Sequence, residues 1–504
     1  MATKNQAALP TNRALWIIVC VLAVVLVALL IVSIQLVRSS PDTQPDTLST
    51  SESTAPSTEP TSIPTTPTSI PTTPATRPTA PGLPVTPSGG KYTNVGSGYI
   101  AEVIRSSIET FDGGKTDDYS RPTNNYLPEG TLDYYTEDGK YAQLRSGHRV
   151  YIQKKNYPMA QYPYSVYEPE IERYEGTLPD HNEIEVVSME IEGHHTILTL
   201  DCLWKAPFYF DLAPQNYSYP NGGSDRDYAV SSCTVSYVDI TFCYATGFYG
   251  EISIPDNHPL FKSAELIQNE SDYTLRLHLR KTGGFYGWHA YYNDQDQLCF
   301  KFLNPVKVTA ANNLYGADLT GVTVLIDVGH GGVDGGAVGT NAEGESWDEA
   351  QLNLMLALAL KKELESVGAT VVLNRTGDTR IDINSRLEHV QQTAADICIA
   401  IHQDSIDGYP NVNGFSSMYY TPYSQLLAKK IYEQTDKTDV YDRTVLKWYQ
   451  GYFVTRETIC PMVLTENGFV TNAKDLENMT NLEMVQIKAQ AMAEGIAKYF
   501  LAIQ

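Results

Sequence analysis

Apolar residues are distributed unevenly along this chain of 504 residues, and their pattern divides it into four parts. Residues 15–37 form one apolar run without a charge, and residues 38–90 are mostly Pro, Thr and Ser. Short segments of alternating apolar and polar residues follow over residues 91–310, and longer apolar segments alternate with helical patterns over residues 319–504. One hydrophobic core cannot accommodate this length, so we expect a multi-domain chain.

The apolar run at 15–37 (LWIIVCVLAVVLVALLIVSIQLV) is long enough for a transmembrane helix, because about 20 apolar residues cross a hydrocarbon layer of about 30 Å. It lacks the small-residue cleavage site of a signal peptide, which favours an uncleaved anchor. Lys4 and Arg13 precede the run and Arg38 follows it, so the positive-inside rule favours a cytoplasmic N-terminus at residues 1–14. We therefore expect a single-pass protein of the cell membrane whose remaining chain lies on the extracytoplasmic side.

The segment at 38–90 includes the heptad TSIPTTP twice in succession, at 61–67 and 68–74. It has almost no large apolar side chain to bury and cannot form a core. Its proline content favours an extended chain, so we interpret it as a disordered linker. The threonines are compatible with either an O-glycosylated or an unmodified spacer.

The region at 91–310 has the alternation typical of half-buried antiparallel strands, so we expect a β-rich region. The clearest segments are HRVYIQ (148–153), HTILTLDCLW (195–204), TVSYVDITFCYA (234–245) and DYTLRLHLRK (272–281). Trp288, in GGFYGWHAYY, is either a platform for stacking sugars or an ordinary strand aromatic. Four cysteines are either disulfide-bonded or buried free thiols: Cys202, Cys233, Cys243 and Cys299. The ligand and function of this region do not follow from its sequence.

Composition narrows the range of partners. The chain has 36 Lys and Arg against 59 Asp and Glu, a formal net charge of -23, which argues against binding nucleic acid or an anionic membrane surface. Seven cysteines are too few for a disulfide framework in a chain of this length, so the folded parts must be held together mainly by packing.

The C-terminal region, 319–504, predicts an α/β domain with a mostly parallel sheet covered by helices on both faces. Its predicted strands are VTVLID (322–327), TVVLNR (370–375), ICIAIH (397–402), FSSMYY (415–420) and PMVLTE (461–466). They alternate with helical patterns at 349–367, 384–393, 424–435 and 481–501.

Ligands of such sheets bind at the carboxyl ends of the strands, and three chemically active residues follow or end predicted strands here. These are His330 in DVGHGG, His402 in AIHQD and Glu466 in VLTENGF. Two imidazoles and a carboxylate at one edge form the kind of donor set that zinc requires. Glu349, at the start of the first helix, either joins this site or closes a capping box with Ser346.

Five segments, in this order, closely resemble the zinc-dependent N-acetylmuramoyl-L-alanine amidases of bacterial cell walls: IDVGHGGVDGGAVG, EAQLNL, VVLNRTGDTRIDINSRLEHV, ICIAIHQDS and PMVLTENGFVTN. The resemblance covers roughly residues 322–500. It implies that His330, Glu349 and His402 are zinc ligands and that Glu466 is the catalytic carboxylate. It also implies peptidoglycan as the partner, and hydrolysis of the amide between N-acetylmuramic acid and the L-alanine of the stem peptide.

Some features of this region leave alternatives open. Val328 stands where the family usually has Pro, and Gln403 stands where it usually has a small residue, which is expected to affect substrate fit at the metal. Asp404 and Arg386 are candidates for orienting the site or binding a substrate carboxylate, with a surface salt bridge as the alternative for Arg386. The segment 403–414 is too short for the inhibitory helix of some relatives, and whether the protein has a protein activator does not follow from the sequence.

Two other functions remain as alternatives to the amidase. A zinc peptidase acting on the stem peptide would use much the same fold and metal. A catalytically silent peptidoglycan-binding protein would need only the β-rich region, although the complete set of four residues argues against it. Because every residue assigned to chemistry follows Gly321, we expect the chemical step to need nothing from the β-rich region.

Overall fold

The protein is described by a computed structural model that covers residues 92–111, 122–156, 166–215, 232–447 and 452–504. The predicted membrane span at 15–37 and the linker at 38–90 lie outside these residues. Within the described ranges, no helix combines the length and the apolar character that crossing a membrane requires.

The region before residue 310 consists of strands, as the alternating pattern predicted. In chain order they are β1 (Tyr99–Val103), β2 (Ser107–Phe111), β3 (Pro122–Pro128), β4 (Leu132–Asp138), β5 (Tyr141–Leu144), β6 (Arg149–Tyr151), β7 (Gln153–Asn156), β8 (Val166–Pro169), β9 (Ile171–Glu175), β10 (Asn182–Glu192), β11 (His195–Cys202), β12 (Phe208–Ala213), β13 (Tyr237–Cys243), β14 (Ala245–Tyr249), β15 (Phe261–Gln268), β16 (Asp272–Leu279), β17 (Trp288–Tyr292), β18 (Leu298–Leu303) and β19 (Thr309–Ala310). Three larger sheets result, with the strand orders β3-β2-β6-β5-β4-β1-β9, β14-β10-β11-β18-β17 and β12-β13-β16-β15.

Trp288 belongs to the core of this region. It is 2% exposed, and its ring stacks on Phe210 with centroids 3.7 Å apart. Phe208 and Phe300 pack edge to face beside this pair. The sugar-stacking interpretation of Trp288 is therefore wrong, because its ring has no free face. The four cysteines of the region are free thiols.

The C-terminal region is the predicted α/β domain. Its strands are β20 (Ala317–Asp318), β21 (Thr323–Val328), β22 (Val338–Thr340), β23 (Ser346–Asp348), β24 (Thr370–Leu373), β25 (Ile397–Asp404), β26 (Phe415–Met418), β27 (Thr444–Lys447) and β28 (Met462–Phe469). Its helices are α1 (Glu349–Glu365), α2 (Ile383–Thr393), α3 (Gln425–Thr435), α4 (Phe453–Arg456), α5 (Ala473–Thr480) and α6 (Leu482–Ala502). Helices α1 and α3 both pack against α6.

The main sheet has the strand order β24-β21-β25-β28-β26-β27, and its neighbouring strands are parallel except for β26 and β28. The mostly parallel sheet is therefore confirmed, with β26 and β27 running opposite to the other four strands. The physical reason is the connection between β25 and β26, which contains no crossover helix, so the chain turns back at the same edge of the sheet.

Helix α1 carries one candidate site residue at its first position. Its buried side is built from leucines at helical spacing: Leu352, Leu356, Leu360 and Leu364. Asp348 is the N-cap residue, and its backbone N–H donates to the Gln351 side chain at 3.3 Å. Ser346 lies in β23, so the alternative that Glu349 closes a capping box with Ser346 is wrong. The Glu349 carboxylate is left available for the site.

The β-rich region and the C-terminal domain share one hydrophobic core. The Trp288 backbone N–H donates to the Thr458 carbonyl oxygen at 2.7 Å, and the Thr458 hydroxyl donates to the Trp288 carbonyl oxygen at 3.0 Å. His194 contacts Asp396 at 3.0 Å. Because Thr458 and Asp396 precede β28 and β25, the β-rich region packs against the amino ends of the strands, at the edge opposite the candidate site.

Candidate metal centre

His330, Glu349 and His402 meet at the carboxyl edge of the main sheet. Their potential ligand atoms all lie within 4.8 Å of one another. Glu349 occupies the middle, with Oε2 at 3.1 Å from His330 Nε2 and Oε1 at 2.9 Å from His402 Nδ1. The carboxylate is buried at the first position of α1, where the helix dipole favours its anionic form. The structure thus brings together the three residues that the sequence suggested as ligands.

The DVGHGG turn makes this convergence possible because it brings the backbone very close to the imidazoles. A Cβ atom at Gly329 would lie 2.4 Å from the His402 ring, so only glycine fits there. His330 itself has a φ of 58°, a left-handed conformation that is uncommon for a residue with a side chain. Such a conformation persists only where surrounding contacts hold it in place.

Arg386 supplies part of that support. Its guanidinium donates to the carbonyl oxygens of Val328 at 3.0 Å and His330 at 3.3 Å, and it forms an ion pair with Asp327. The Arg386 and Asp327 side chains are only 11% and 4% exposed. The surface salt bridge considered for Arg386 is therefore wrong, and Arg386 orients the turn that carries His330.

Two further supporting residues were not assigned from the sequence, although both lie in the quoted segments. Arg375 donates to the carbonyl oxygens of Gly329 at 2.7 Å and Ala350 at 2.8 Å, which ties the turn to helix α1. Asp334 Oδ1 lies 2.9 Å from His330 Nδ1. A carboxylate in this position fixes the orientation of an imidazole and leaves its Nε2 free for another partner.

The charges of the three central residues are strongly coupled. Burial alone would raise the pKa of Glu349, but hydrogen bonds and charge interactions with His330 and His402 lower that pKa far below its ordinary value. Burial likewise opposes protonation of His330, yet its bonds to Glu349 and Asp334 raise its pKa. The pocket therefore holds Glu349 as an anion between two imidazoles, which is the arrangement a cation would stabilise further.

Glu466 lies next to His402 in the sheet. The two residues are paired in register on the parallel strands β28 and β25, so their side chains point to the same face. Glu466 Oε2 is buried and has no hydrogen-bond partner among the described residues. Burial, followed by the charges of Asp404 and Glu349, raises the pKa of Glu466 well above its ordinary value. An unsatisfied carboxylate of this kind is suited to proton transfer.

The position of Glu466 is fixed by the residue that follows it. The Asn467 side chain donates to the His402 carbonyl oxygen at 3.0 Å and so ties the ends of β28 and β25 together. The Asn467 carbonyl oxygen accepts hydrogen bonds from Lys488 at 3.1 Å and from the Tyr441 hydroxyl at 3.3 Å. Lys488, on α6, is 2% exposed and was not recognised in the sequence.

Gln403 does not face the reaction centre as expected. Its side chain is 4% exposed and donates to Asn353 Oδ1 at 3.2 Å, beneath the site. Its backbone N–H donates to Glu349 Oε1 at 3.1 Å. The expectation that Gln403 alters substrate fit at the metal is therefore wrong. Gln403 instead helps to hold Glu349 in place.

Comparison with known proteins agrees with this geometry. The family model described as N-acetylmuramoyl-L-alanine amidase matches residues 324–498. The N-acetylmuramoyl-L-alanine amidase CwlM of Bacillus licheniformis is 32% identical over 188 residues, which cover 36% of this chain and 69% of that protein. The sporulation-specific N-acetylmuramoyl-L-alanine amidase of Bacillus subtilis (strain 168) is 31% identical over 188 residues, with 36% and 68% covered.

A solved structure is also similar to this chain. It is the catalytic domain of CwlV, an N-acetylmuramoyl-L-alanine amidase from Bacillus(Paenibacillus) polymyxa var. colistinus, with 30% identity, a TM-score of 0.33, and coverage of 36% of this chain and 99% of that chain. On the sequence matches, which span more than two thirds of two curated relatives, the chain belongs to the N-acetylmuramoyl-L-alanine amidase family.

Proposed function

We propose that this chain is a zinc-dependent peptidoglycan hydrolase that cleaves the amide between the lactyl group of N-acetylmuramic acid and the L-alanine of the stem peptide. Family membership supports the peptidoglycan amidase activity. The observation that carries the finer proposal is the convergence of His330, Glu349 and His402 beside Glu466, whose Oε2 atom is buried without a hydrogen-bond partner among the described residues.

The residues present fit a zinc ion. Two imidazole nitrogens and one carboxylate oxygen, all within 4.8 Å of one another, match a catalytic zinc site with three protein ligands and an open position. His330, Glu349 and His402 would hold the ion, and Asp334 would orient the His330 ring. When bound, zinc supplies Lewis-acid polarisation of the scissile carbonyl group and of the attacking water.

Glu466 would carry the proton in this reaction. As a carboxylate on the same face as His402, it accepts a proton from the attacking water and donates it to the departing amine of L-alanine. The charges of Asp404 and Glu349 and the burial of Glu466 favour its protonated form, which suits the second of these transfers. Asn467 and Lys488 keep the carboxylate in register with His402.

Digestion of purified peptidoglycan by the full-length protein, with and without a chelator, tests this proposal. Mass spectrometry should find muramic acid with a free lactyl carboxylate, and the chelator should abolish the product. L-alanine left on the sugar would instead identify a stem-peptide peptidase, and the absence of any cleavage would leave a peptidoglycan-binding protein.

A ligand variant tests the metal site. His402→Ala should lose both zinc and activity, because two protein ligands hold the ion poorly. His389→Ala is the matched control: its Nδ1 contacts the Ser385 carbonyl oxygen at 2.7 Å, on α2 and apart from the three ligands. Full zinc occupancy in His402→Ala would refute the ligand assignment.

We also propose that residues 15–37 anchor the protein in the cell membrane and place the catalytic domain on the extracytoplasmic side. The support is the charge-free run, the basic residues before it and the extracellular substrate. Protease added to intact cells should cut the linker at 38–90 and release the domain. Protection of the linker until the membrane is broken would reverse the orientation.

A further inference from the structure

A groove lies beside the candidate metal centre at the carboxyl edge of the sheet. Its volume is about 390 Å³, within the range of roughly 300–1,000 Å³ that is usual for ligand sites. Three segments, 338–340, 406–410 and 470–473, supply its lining residues. Each segment follows an element that carries a site residue: the His330 turn, strand β25 and strand β28.

One end of the groove lies one residue along the chain from a contact with a proposed metal ligand. The backbone N–H of Ala337 donates to Glu349 Oε2 at 3.1 Å, one residue before the groove lining starts at Val338. A Cβ atom at Gly336 would lie 2.5 Å from the same carboxylate oxygen. A substrate with its scissile bond at the metal centre therefore has this groove as an adjoining surface.

Two of the three walls, 406–410 and 470–473, are joined by hydrogen bonds, and the third approaches them so closely that a Cβ atom at Gly339 would lie 2.3 Å from the Val470 carbonyl oxygen. The Val470 backbone N–H donates to the Asp404 carbonyl oxygen at 2.9 Å, and the Ile406 N–H donates to the Thr471 hydroxyl oxygen at 3.2 Å. The Asn472 side chain donates to the Pro410 carbonyl oxygen at 2.8 Å. The groove is therefore formed before a ligand enters, which lowers the entropy cost of binding.

The chemistry of the lining favours a positively charged ligand group. Among the described residues that line the groove, Asp407 is the one with a charge, and it is exposed. The rest are small or aliphatic, apart from the hydroxyl groups of Thr340 and Thr471. A short peptide with an amino side chain matches this surface, because its backbone and methyl groups lie on the walls and its ammonium group meets the carboxylate.

We propose that the groove binds the stem peptide of peptidoglycan and that Asp407 receives the side-chain ammonium group of a diamino residue in that peptide. This inference rests on the proposed function, since it assumes cleavage at the lactyl amide. It makes Asp407 a specificity-determining residue that acts on substrate binding and leaves the chemical step to Glu466.

The test uses the full-length protein and three soluble N-acetylmuramoyl peptides. One is a tripeptide that ends in lysine, the second is the same tripeptide with its ε-amine acetylated, and the third is the dipeptide without lysine. Asp407→Asn should raise KM about two- to fivefold for the free-amine tripeptide alone, with kcat unchanged, as expected for one ion pair at an exposed site. Asp294→Asn, at an exposed position in the β-rich region, is the matched control.

A second variant tests the shape of the groove. Val338 is 56% exposed, so Val338→Trp should fold and fill part of the groove. It should raise KM for both tripeptides and spare the dipeptide, with zinc content unchanged. Equal effects of either variant on all three substrates, or no effect on any, would overturn the inference.

The same measurements distinguish failure of the proposed function from failure of the groove assignment. If the wild-type protein releases no lactyl carboxylate from any of the three peptides, the proposed function is wrong and the groove assignment falls with it. If it cleaves all three with the same KM, the proposed function stands and the groove assignment alone is overturned.

Discussion

Lys488 gives the sharpest prediction about stability, because its amine is buried and bonded to β28, the strand that carries Glu466. It is 2% exposed, its Nζ donates to the Asn467 carbonyl oxygen at 3.1 Å, and it lies 4.9 Å from the centre of the Tyr441 ring. Burial lowers the pKa of Lys488 from 10.5 to about 7, an effect that the charge of Asp475 partly opposes.

The sign of the pH dependence follows from proton binding. In the unfolded chain Lys488 keeps its proton up to about pH 10.5, whereas in the folded chain it loses the proton above about pH 7. The unfolded state therefore binds more protons between these values, and stability rises with pH across this window. A shift of this size corresponds to a gain on the order of 4–5 kcal/mol, at 1.36 kcal/mol per pKa unit.

Lys488→Met keeps the aliphatic stem and removes the charge, so this gain should disappear. Urea unfolding of the wild type and the variant at pH 6, 8 and 10, at constant ionic strength, measures it. The variant should be more stable than the wild type at pH 6, and the difference should shrink towards pH 10. Lys498→Met, on the same helix and paired with Glu494 at 2.6 Å on the surface, is the control. A wild-type pH slope retained in Lys488→Met would refute the buried-amine interpretation.

Two other substitutions test the packing around the site. Trp288→Ala should lower the free energy of unfolding by about 3–5 kcal/mol, because Trp288 lies in the core that the β-rich region shares with the C-terminal domain. Calorimetry should show that both parts unfold at a lower temperature. Two separate transitions, of which only that of the β-rich region shifts, would contradict this. Arg386→Met should weaken zinc binding about 10- to 100-fold, because the His330 turn loses two hydrogen bonds. An unchanged zinc affinity in a chelator competition would show that the turn keeps its conformation without Arg386.

The C-terminal strands and the longer helices could be predicted because their residues are buried in regular patterns. Strand β25 is a continuous apolar run, and α1 has leucines at helical spacing. The shorter elements of this region were missed: β20, β22, β23, β27, α4 and α5. The four strands and α4 have two to four residues each, and α5 is mostly polar, so none shows a clear period.

The candidate site was predictable to the extent that strand ends determine it. His330, His402 and Glu466 follow or end parallel strands, which terminate at one edge of a sheet. The supporting roles of Arg375 and Lys488 were missed because both side chains donate to backbone carbonyl oxygens of residues far away in the sequence. The order of side chains along the chain does not indicate which carbonyl groups lie nearby in the fold.

For the β-rich region, the strands could be predicted from the sequence but their packing could not. Alternation in the sequence predicted its strands, but alternation cannot tell which face of a strand another sheet covers. The burial of Trp288 and its bonds to Thr458 therefore came from the structure alone.

The turnover of zinc-loaded Glu466→Gln tests the proposed mechanism most directly. The substitution removes the group assigned to proton transfer and leaves His330, Glu349 and His402 in place. We expect one zinc ion per chain, as in the wild type, and a rate of lactyl-amide hydrolysis reduced about 10²- to 10⁴-fold, the usual contribution of a general acid–base group. Turnover near that of the wild type, at full zinc occupancy, would show that another group transfers the proton.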